Sequence, residues 1–261
     1  MDERPTVSSN GHRHLSGAPL IRVLCQITWP SFPAFNPEEA ISQLGMTLVN
    51  KYPIEETRRQ YEMVLTPTGV RQDTGENLYR LSSVDGTWNV TLAKTFISLE
   101  TTKYCGHIDF IERLGEVIDT LIAVFQIPTW LHIGYRYTNR ISGDDLSSLK
   151  DFFTNPSVLG GASWTPKGTE LRQSITESVY TANDITILIR SASLENGVTV
   201  DPTFEPIDEP SWVLDLDASF EAEQGTALSS ADIQGQAEVL SEACYGLFED
   251  LISERFVERY K

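Results

Sequence analysis

The most suggestive chemical groups in this sequence are two arginines spaced to share one face of a strand. The segment WLHIGYRYTNRIS, residues 130–142, alternates so that Arg136 and Arg140 point to the same side. Asn139 points to the opposite side and completes the polar candidates on this strand. Two guanidinium groups on one face need counter-charges if they are even partly buried, because burying an unpaired charge is costly.

A second segment supplies those counter-charges. In SWVLDLDASFEAE, residues 211–223, Asp215 and Asp217 share the face opposite to the apolar side chains. We expect Arg136 or Arg140 to pair with one of these aspartates, across the sheet or between the two halves of the chain. The planar guanidinium fork suits a bidentate contact with a carboxylate.

This Arg/Asp set has two interpretations. The first is a structural ion pair that fixes how the two halves of the chain register, since structural networks also bury charge. The second is a polar cleft between the halves, in which the arginines bind an anionic ligand and the aspartates orient them. A metal-dependent hydrolytic pair is a weaker hypothesis, because no third ligand for a metal is evident.

Signatures of catalysis are missing from the sequence. It contains no GxxxxGK[ST], no GxGxxG after a strand, no HExxH and no GxSxG. Cys25, Cys105 and Cys244 are far apart and lack CxxC spacing, which disfavours a zinc site or a disulfide framework and suits a reducing cytoplasm. The sequence therefore leans towards a non-enzymatic protein, with no catalytic residue, cofactor or metal site to assign.

Acidic residues dominate the charge, and they concentrate towards the C-terminus. The formal net charge is −17, from 37 acidic and 20 basic residues. Residues 191–261 contain sixteen of the acids and three of the bases. Such a surface repels phosphate backbones, so nucleic-acid binding is disfavoured. It favours a basic protein partner, or it serves solubility alone.

Strands and helices follow one another in the same order in both halves of the chain. In the first half, apolar and β-branched runs predict strands at 19–30, 61–67, 77–86 and 88–101. Asn36 and Pro37 begin a helix that ends near Tyr52, and a second helix runs from about Ile108 to Phe125. The inward side chains expected on the first helix are those of Ile41, Leu44, Leu48 and Val49.

In the second half, strands are predicted at 130–142, 171–182, 184–194 and 211–223. A short helix follows Ser142, and one long helix is expected over 230–260. Asn183 and Asp184 mark a tight turn, as Asp85 and Gly86 do in the first half.

These patterns predict an α+β fold made of two tandem strand–helix–three-strand–helix units, each an antiparallel sheet covered by its helices. Residues 1–18 form a flexible polar tail without an apolar signal core. The first unit spans 19–128, and the second spans 129–261 and packs tightly on the first. No apolar run reaches the roughly 18 residues of a membrane helix, so no membrane partner is expected.

Several segments together resemble a known family. They are Tyr52-Pro53 after the first helix, Ile97-Ser98-Leu99 with Tyr104, and the Arg-Tyr-x-Asn-Arg segment 136–140. Over about 19–260, the chain resembles a sporadically distributed family of uncharacterised bacterial and archaeal proteins. Tyr135 stands where that family would have an aliphatic residue. The resemblance implies a scattered accessory gene, including defence and toxin–antitoxin cargo, and it implies no activity, cofactor or functional residue.

Two functions follow as hypotheses. The first is a cytoplasmic, non-enzymatic protein-interaction component, antitoxin-like or accessory to defence, that uses its acidic C-terminal half. The second is a small-ligand-binding domain or enzyme that uses the Arg/Asp cleft. Nucleic-acid binding would need a basic stripe such as Arg58, Arg59 and Arg71, which we expect in or near loops. The sequence leaves the oligomeric state open.

Overall fold

The computed structural model describes residues 15–66, 69–199, 201 and 204–261, and for 59–75 it describes no side chains. Most of the expected polar tail, 1–18, therefore lies outside the described residues. The part within them is held by main-chain hydrogen bonds. The Gly17 N–H donates to the Tyr260 carbonyl oxygen at 3.1 Å, and the Ala18 N–H donates to that of Leu15.

The described chain forms nine strands and five α-helices. The strands are β1 Leu20–Thr28, β2 Ile54–Thr66, β3 Gly69–Ser82, β4 Trp88–Leu92, β5 Phe96–Thr101, β6 His132–Ser142, β7 Ser174–Ala182, β8 Ile185–Leu194 and β9 Ser211–Glu221. The helices are α1 Pro37–Leu48, α2 His107–Val124, α3 Leu149–Phe152, α4 Ser230–Leu251 and α5 Glu254–Tyr260, with 3-10 segments at Gly143–Ser148 and Pro156–Ser163.

All nine strands belong to one sheet, in the order β2-β3-β4-β5-β1-β6-β9-β8-β7. The hairpins β2–β3, β3–β4, β4–β5 and β7–β8 are antiparallel. At the ends of β1 and β6, the Leu131 N–H donates to the Thr28 oxygen and the Arg140 N–H to the Pro19 oxygen, which is an antiparallel arrangement. The α+β class is therefore correct, with a single large sheet.

Helix starts follow the local sequence closely. The Asn36 side chain accepts a hydrogen bond from the Glu38 N–H, and Pro37 occupies the first turn of α1. One expected inward position is wrong: Val49 is 49% exposed, because α1 and its apolar face end at Leu48.

Two predicted elements are each divided in two. The strand expected over 88–101 is the hairpin β4–β5, in which the Ala93 N–H donates to the Phe96 oxygen. The helix expected over 230–260 breaks after α4. Ser253 caps α5 by accepting a hydrogen bond from the Phe256 N–H, and its own N–H donates to the Phe152 oxygen.

The contacts divide the chain into two compact units built from separate segments. Unit 2 comprises Leu24–Gly134 and Phe220–Glu238. Its core lies between helices α1 and α2 and the strands of the first half. The largest fully buried side chains there are Trp29, Tyr52, Phe110, Ile27, Ile41, Leu44, Leu81, Leu92 and Ile97.

Unit 1 comprises Met1–Val23, Tyr135–Ser219 and Val239–Lys261. An aromatic cluster forms much of its core, with ring centroids 4.6 to 5.9 Å apart among Phe152, Phe153, Trp212, Phe248, Phe256 and Tyr260. The C-terminal part of α4 packs on one face of the sheet. The Cys244 thiol lies against the Tyr135 carbonyl oxygen at 3.5 Å, and the Tyr137 hydroxyl lies 2.8 Å from that of Ser241.

Among the described residues, no helix combines the length and apolar character needed to cross a membrane.

Candidate functional site

Charged side chains from four adjacent strands meet on the face of the unit 1 sheet that α4 does not cover. The strand order β1-β6-β9-β8 places Arg22, Arg136, Asp215 and Arg190 side by side. Asp201, in the loop between β8 and β9, lies over them. We call these five residues, together with Asp217, the Arg/Asp cluster.

Asp215 lies at the centre of the Arg/Asp cluster. Its Oδ1 accepts a hydrogen bond from Arg136 Nε at 2.6 Å and one from the Thr138 hydroxyl at 3.0 Å. The nearest Arg190 nitrogen is 3.7 Å from the other carboxylate oxygen. Because the Asp215 side chain is only 3% exposed, these contacts replace water around the carboxylate.

Asp201 attaches the β8–β9 loop to the same arginines. Its Oδ2 lies 3.1 Å from Arg136 Nη1 and 3.3 Å from Arg22 Nη2. The Arg22 guanidinium also stacks over the ring of Phe204, 4.1 Å from its centroid. The loop is thus held over the sheet by one carboxylate and one aromatic ring.

Protonation in the cluster depends on burial as well as charge. Burial alone would lower the pKa of Arg136, but the hydrogen bond and charge of Asp215 outweigh burial and raise it. Burial raises the pKa of Asp217 to about 6; Arg136 opposes this increase and Asp215 adds to it. Asp217 forms none of the ion pairs found among the described residues.

Arg140 and Asn139 lie apart from these contacts. Arg140 Nη1 donates to the Glu205 carbonyl oxygen at 3.2 Å, and its guanidinium lies 5.8 Å from the Phe204 ring centroid. Burial lowers the pKa of Arg140. Asn139 is 5% exposed and, by alternation, faces the side that α4 covers. The structure therefore brings together Arg136 and Asp215, with Asp217 nearby, and leaves Arg140 and Asn139 outside the pairing.

Three further members of the cluster were missed from the sequence. Arg22 and Arg190 interrupt the apolar strands β1 and β8, so strand alternation contained a signal for both. Asp201 lies in an irregular, proline-containing loop whose path no periodic pattern describes. Within the described ranges, no group of three His, Cys, Asp or Glu residues is placed to hold a metal ion.

A cleft of about 450 Å³ lies elsewhere in unit 1. Trp212, Leu149 and Leu194 contribute apolar surface to it, and the ion-paired Arg172 and Glu195 contribute charge. None of the residues that line it belongs to the Arg/Asp cluster.

The basic stripe considered for nucleic acid does not lie in loops. Arg58 and Arg59 lie in the middle of β2, so the expectation is wrong for these two, whereas Arg71 lies near the start of β3. Arg58 is bonded to Glu56 on the same strand at 2.9 Å, which offsets its charge. The side chains of Arg59 and Arg71 lie outside the described residues.

The Arg/Asp cluster is thus an internally compensated set of charges that binds a loop to the sheet. No protein-family model matches this chain, and no curated protein matches it either, so the resemblance drawn from the Arg-Tyr-x-Asn-Arg segment stays a prediction.

Proposed function

We propose that this chain is a non-enzymatic, cytoplasmic protein-interaction component whose acidic C-terminal half contacts a basic protein partner. The observation that carries the proposal is helix α4, which contains five carboxylates and no Lys or Arg in 22 residues. The charged groups of the Arg/Asp cluster pair largely with one another, which favours its structural interpretation. The acids of α4 have no bases on their own helix.

The part of α4 in unit 1 presents one exposed stripe of residues spaced three or four apart. Its members are Val239, Glu242, Gly246 and Asp250, so the stripe carries two carboxylates and no base. Asp250 also lies in the last turn, where a negative charge opposes the helix dipole and costs stability. Because the Asp250 carboxylate does not stabilise the helix, we infer that this exposed end of α4 serves an interaction.

The bases that follow α4 do little to offset its charge. Arg255 pairs with Asp151 at 2.8 Å, and Arg259 pairs with Asp145 at 2.8 Å. Both acids lie outside the acidic segment 191–261, so two of the three bases in that segment neutralise charges elsewhere. The remaining negative potential would steer a basic partner towards this surface.

The test is co-purification of the tagged protein from its native host, compared with two variants of equal charge change. We expect a basic partner to be retained at about 50 mM salt and lost at about 500 mM. Glu242→Gln with Asp250→Asn should reduce retention at least about fivefold. The matched control, Glu112→Gln with Asp119→Asn, neutralises two exposed acids of α2 and should retain the partner. A chain that stays monomeric without a partner, or equal losses in both variants, contradicts the proposal.

The biological setting that we propose is an antitoxin-like protein or an accessory to a defence system. Support comes from the family resemblance, which implies a scattered accessory gene. The cytoplasmic placement is supported by Cys25, Cys105 and Cys244, none of which forms a disulfide. Nucleic acid is disfavoured as a partner because the exposed acids repel phosphate.

As a second candidate function we propose binding of a small anionic ligand in the Arg/Asp cleft expected from the sequence, with Arg140 as the group that binds the anion. The observation that favours it is Arg140 Nε, which is buried without an acceptor among the described residues, beside the ring of Phe204. Calorimetric titration with inorganic phosphate tests it. Arg140→Ala should abolish binding in a stable protein, and wild-type protein that binds no phosphate contradicts this function.

We also propose that the chain is a tandem of two related units, 19–128 and 129–261. The sheet order supports this, because the strands of both halves follow the same order outward from the centre, with five strands in the first half and four in the second. From the centre outwards, one side runs β1-β5-β4-β3-β2 and the other β6-β9-β8-β7. In each half, the strand that comes first in the sequence lies at the centre of the sheet, and the strand that comes last in that half lies beside it.

A further inference from the structure

Strand β7 forms one edge of the sheet, and the 3-10 segment Pro156–Ser163 contacts the start of this strand, where the Gly161 N–H donates to the Ser174 hydroxyl at 2.9 Å. Among the described strands it pairs with β8 alone. Its sequence, SITESVYTA, contains neither Lys nor Pro, two residues that commonly block an edge, and its one charged residue is Glu177. Ile175, Val179 and Tyr180 are 55%, 61% and 55% exposed. The unpaired main-chain groups of an edge strand form a template for pairing with another chain, and exposed apolar side chains favour that pairing.

The turn after β7 determines which of its residues face the free edge. Asn183 and Asp184 have φ values of 50° and 65°, as in a type I′ turn between the paired residues Ala182 and Ile185. Residues that flank such a turn exchange both main-chain hydrogen bonds, so Ala182 and alternate residues before it bond to β8. The residues that direct their N–H and C=O groups to the free edge are Ile175, Glu177, Val179 and Thr181.

We propose that β7 pairs antiparallel with β7 of a second copy of this chain, across a two-fold axis at Glu177. In this register Ile175 lies opposite Val179 of the second copy, and Val179 lies opposite its Ile175. On the other face, Thr176 lies opposite Ser178 of the second copy. The strand thus matches apolar with apolar and hydroxyl with hydroxyl, the cross-strand pairs that stabilise sheets.

Charge also fits this register. Two Glu177 side chains meet at the axis, and like charges directly opposite are unfavourable. In each copy, however, Arg190 donates two hydrogen bonds to Glu177, at 2.6 and 2.9 Å. The axis therefore carries two compensated pairs. Sliding the second copy by two residues along β7 would instead place Glu177 opposite Val179 or Ile175. A charged side chain would then lie against an apolar one.

The association is expected to be weak and dependent on salt. The strands overlap only over 174–180, which is a small interface. Each copy has a net charge of −17, so the copies repel each other over longer distances. Added salt screens that repulsion and should strengthen the dimer, whereas it weakens binding of a basic partner.

Sedimentation velocity of the full chain at high salt, up to about 100 µM, tests the proposal. The wild type should shift from monomer to dimer with concentration. Ile175→Lys and Val179→Glu should each raise the dimer dissociation constant at least about tenfold. Thr181→Lys is the matched control and should leave it unchanged, because the register places it opposite Gln173, beyond the end of β7.

Mixing the two variants tests the register itself. A mixed dimer of Ile175→Lys and Val179→Glu has one Lys–Glu pair and one intact Ile–Val pair, whereas each variant alone has two mismatched pairs. We therefore expect the mixture to recover dimer that neither variant forms. Circular dichroism shows whether the variants fold. If either variant does not fold, amide hydrogen exchange of the wild type replaces the mixing experiment. Protection of the Glu177 and Val179 N–H groups should then rise with protein concentration.

Three results would overturn the proposal: a wild type that stays monomeric, a dimer that both variants leave intact, or two monomeric variants that fail to rescue each other. Exchange at these N–H groups that does not change with concentration would do the same.

Discussion

Among single residues, Asp215 is the one on which the Arg/Asp cluster depends. Its carboxylate is almost fully buried and is held by Arg136, Thr138 and, at longer range, Arg190. A buried ion pair adds little net stability compared with apolar residues, but removing one partner leaves an uncompensated charge. Loss of one charge from the cluster should therefore lower the stability of the protein by more than the ion pairs contribute to it in net terms.

Replacing Arg136 with alanine tests this sensitivity. Arg136→Ala should lower the free energy of unfolding by about 3 kcal/mol, or prevent folding, because Asp215 loses its closest donor. Arg190→Ala is the comparison, and it should cost less, since Arg136 remains in contact with Asp215. Urea titration measures both. A stable Arg136→Ala protein that has lost only ligand binding would support the pocket interpretation instead.

Asp217 should make stability depend on pH. Burial raises the pKa of Asp217 from 3.8 to about 6, so between these values the folded protein holds this proton more tightly than the unfolded chain does. The contribution of Asp217 to the free energy of unfolding therefore falls as pH rises from about 4 to 6. Asp217→Asn should gain about 1 to 2 kcal/mol relative to wild type over that interval.

Urea titrations at pH 4 and pH 7 provide the measurement for Asp217. Asp208→Asn, which removes an exposed acid from the β8–β9 loop, should not reproduce this pattern. If the free energies of unfolding of wild type and Asp217→Asn changed with pH in the same way, the folded protein would not bind the Asp217 proton more tightly than the unfolded chain does.

The sequence predicted part of this site because alternation is a local property. The period of two placed Arg136 on a polar strand face and predicted that it could pair with Asp215 or Asp217. The structure places Arg136 against Asp215. Alternation does not determine how far along the strand a long side chain reaches. Arg140, four residues from Arg136, is accordingly next to Phe204 and Glu205 in the loop.

At the scale of elements, Gly115 on α2 marks a close approach to Gln234 of α4 within unit 2. A Cβ at position 115 would lie 1.8 Å from Gln234 Nε2 and 2.5 Å from Cδ. Gln234 occupies this space while donating to the Ile111 carbonyl oxygen at 3.3 Å. The glycine therefore serves the packing of a neighbouring side chain, despite its low helix propensity.

A double-mutant cycle measures that packing. Gly115→Ala should cost about 1 kcal/mol, because displacement of Gln234 and loss of its hydrogen bond outweigh the gain in helix propensity. In a Gln234→Ala background the same change should stabilise by up to about 1 kcal/mol. Thermal unfolding of the four proteins gives the coupling. Equal effects in both backgrounds would mean that the two side chains do not compete for the space.

Elements with strong local signals were predicted well, and those set by tertiary contacts were not. The turn at Asn183 and Asp184 and the cap at Asn36 both lie where the sequence placed them. The hairpin between β4 and β5 turns at 93–95 without Gly or Pro, so its sequence reads as one continuous strand. The Trp29 N–H bonds to the Thr95 oxygen there, a contact 66 residues apart along the chain.

At the scale of the whole molecule, net charge should govern the response to salt. With −17 charges the folded chain repels itself, and salt screens the repulsion between exposed groups. Raising NaCl from about 20 to 300 mM should increase Tm by a few degrees. The Glu242→Gln, Asp250→Asn protein should show a smaller increase. Differential scanning calorimetry is the measurement, and a Tm that falls with NaCl would contradict the expectation.

The position of β1 between β5 and β6 has a consequence for synthesis of the chain. This strand is made before its neighbour β6, which begins about 100 residues later. At the usual speed of a ribosome, that gap lasts on the order of 10 s. During this interval, the edge of β1 (LIRVLCQIT) that later pairs with β6 has no neighbouring strand. Exposed apolar surface and an unpaired strand edge favour aggregation, so we expect a chaperone to bind the nascent chain until β6 emerges from the ribosome.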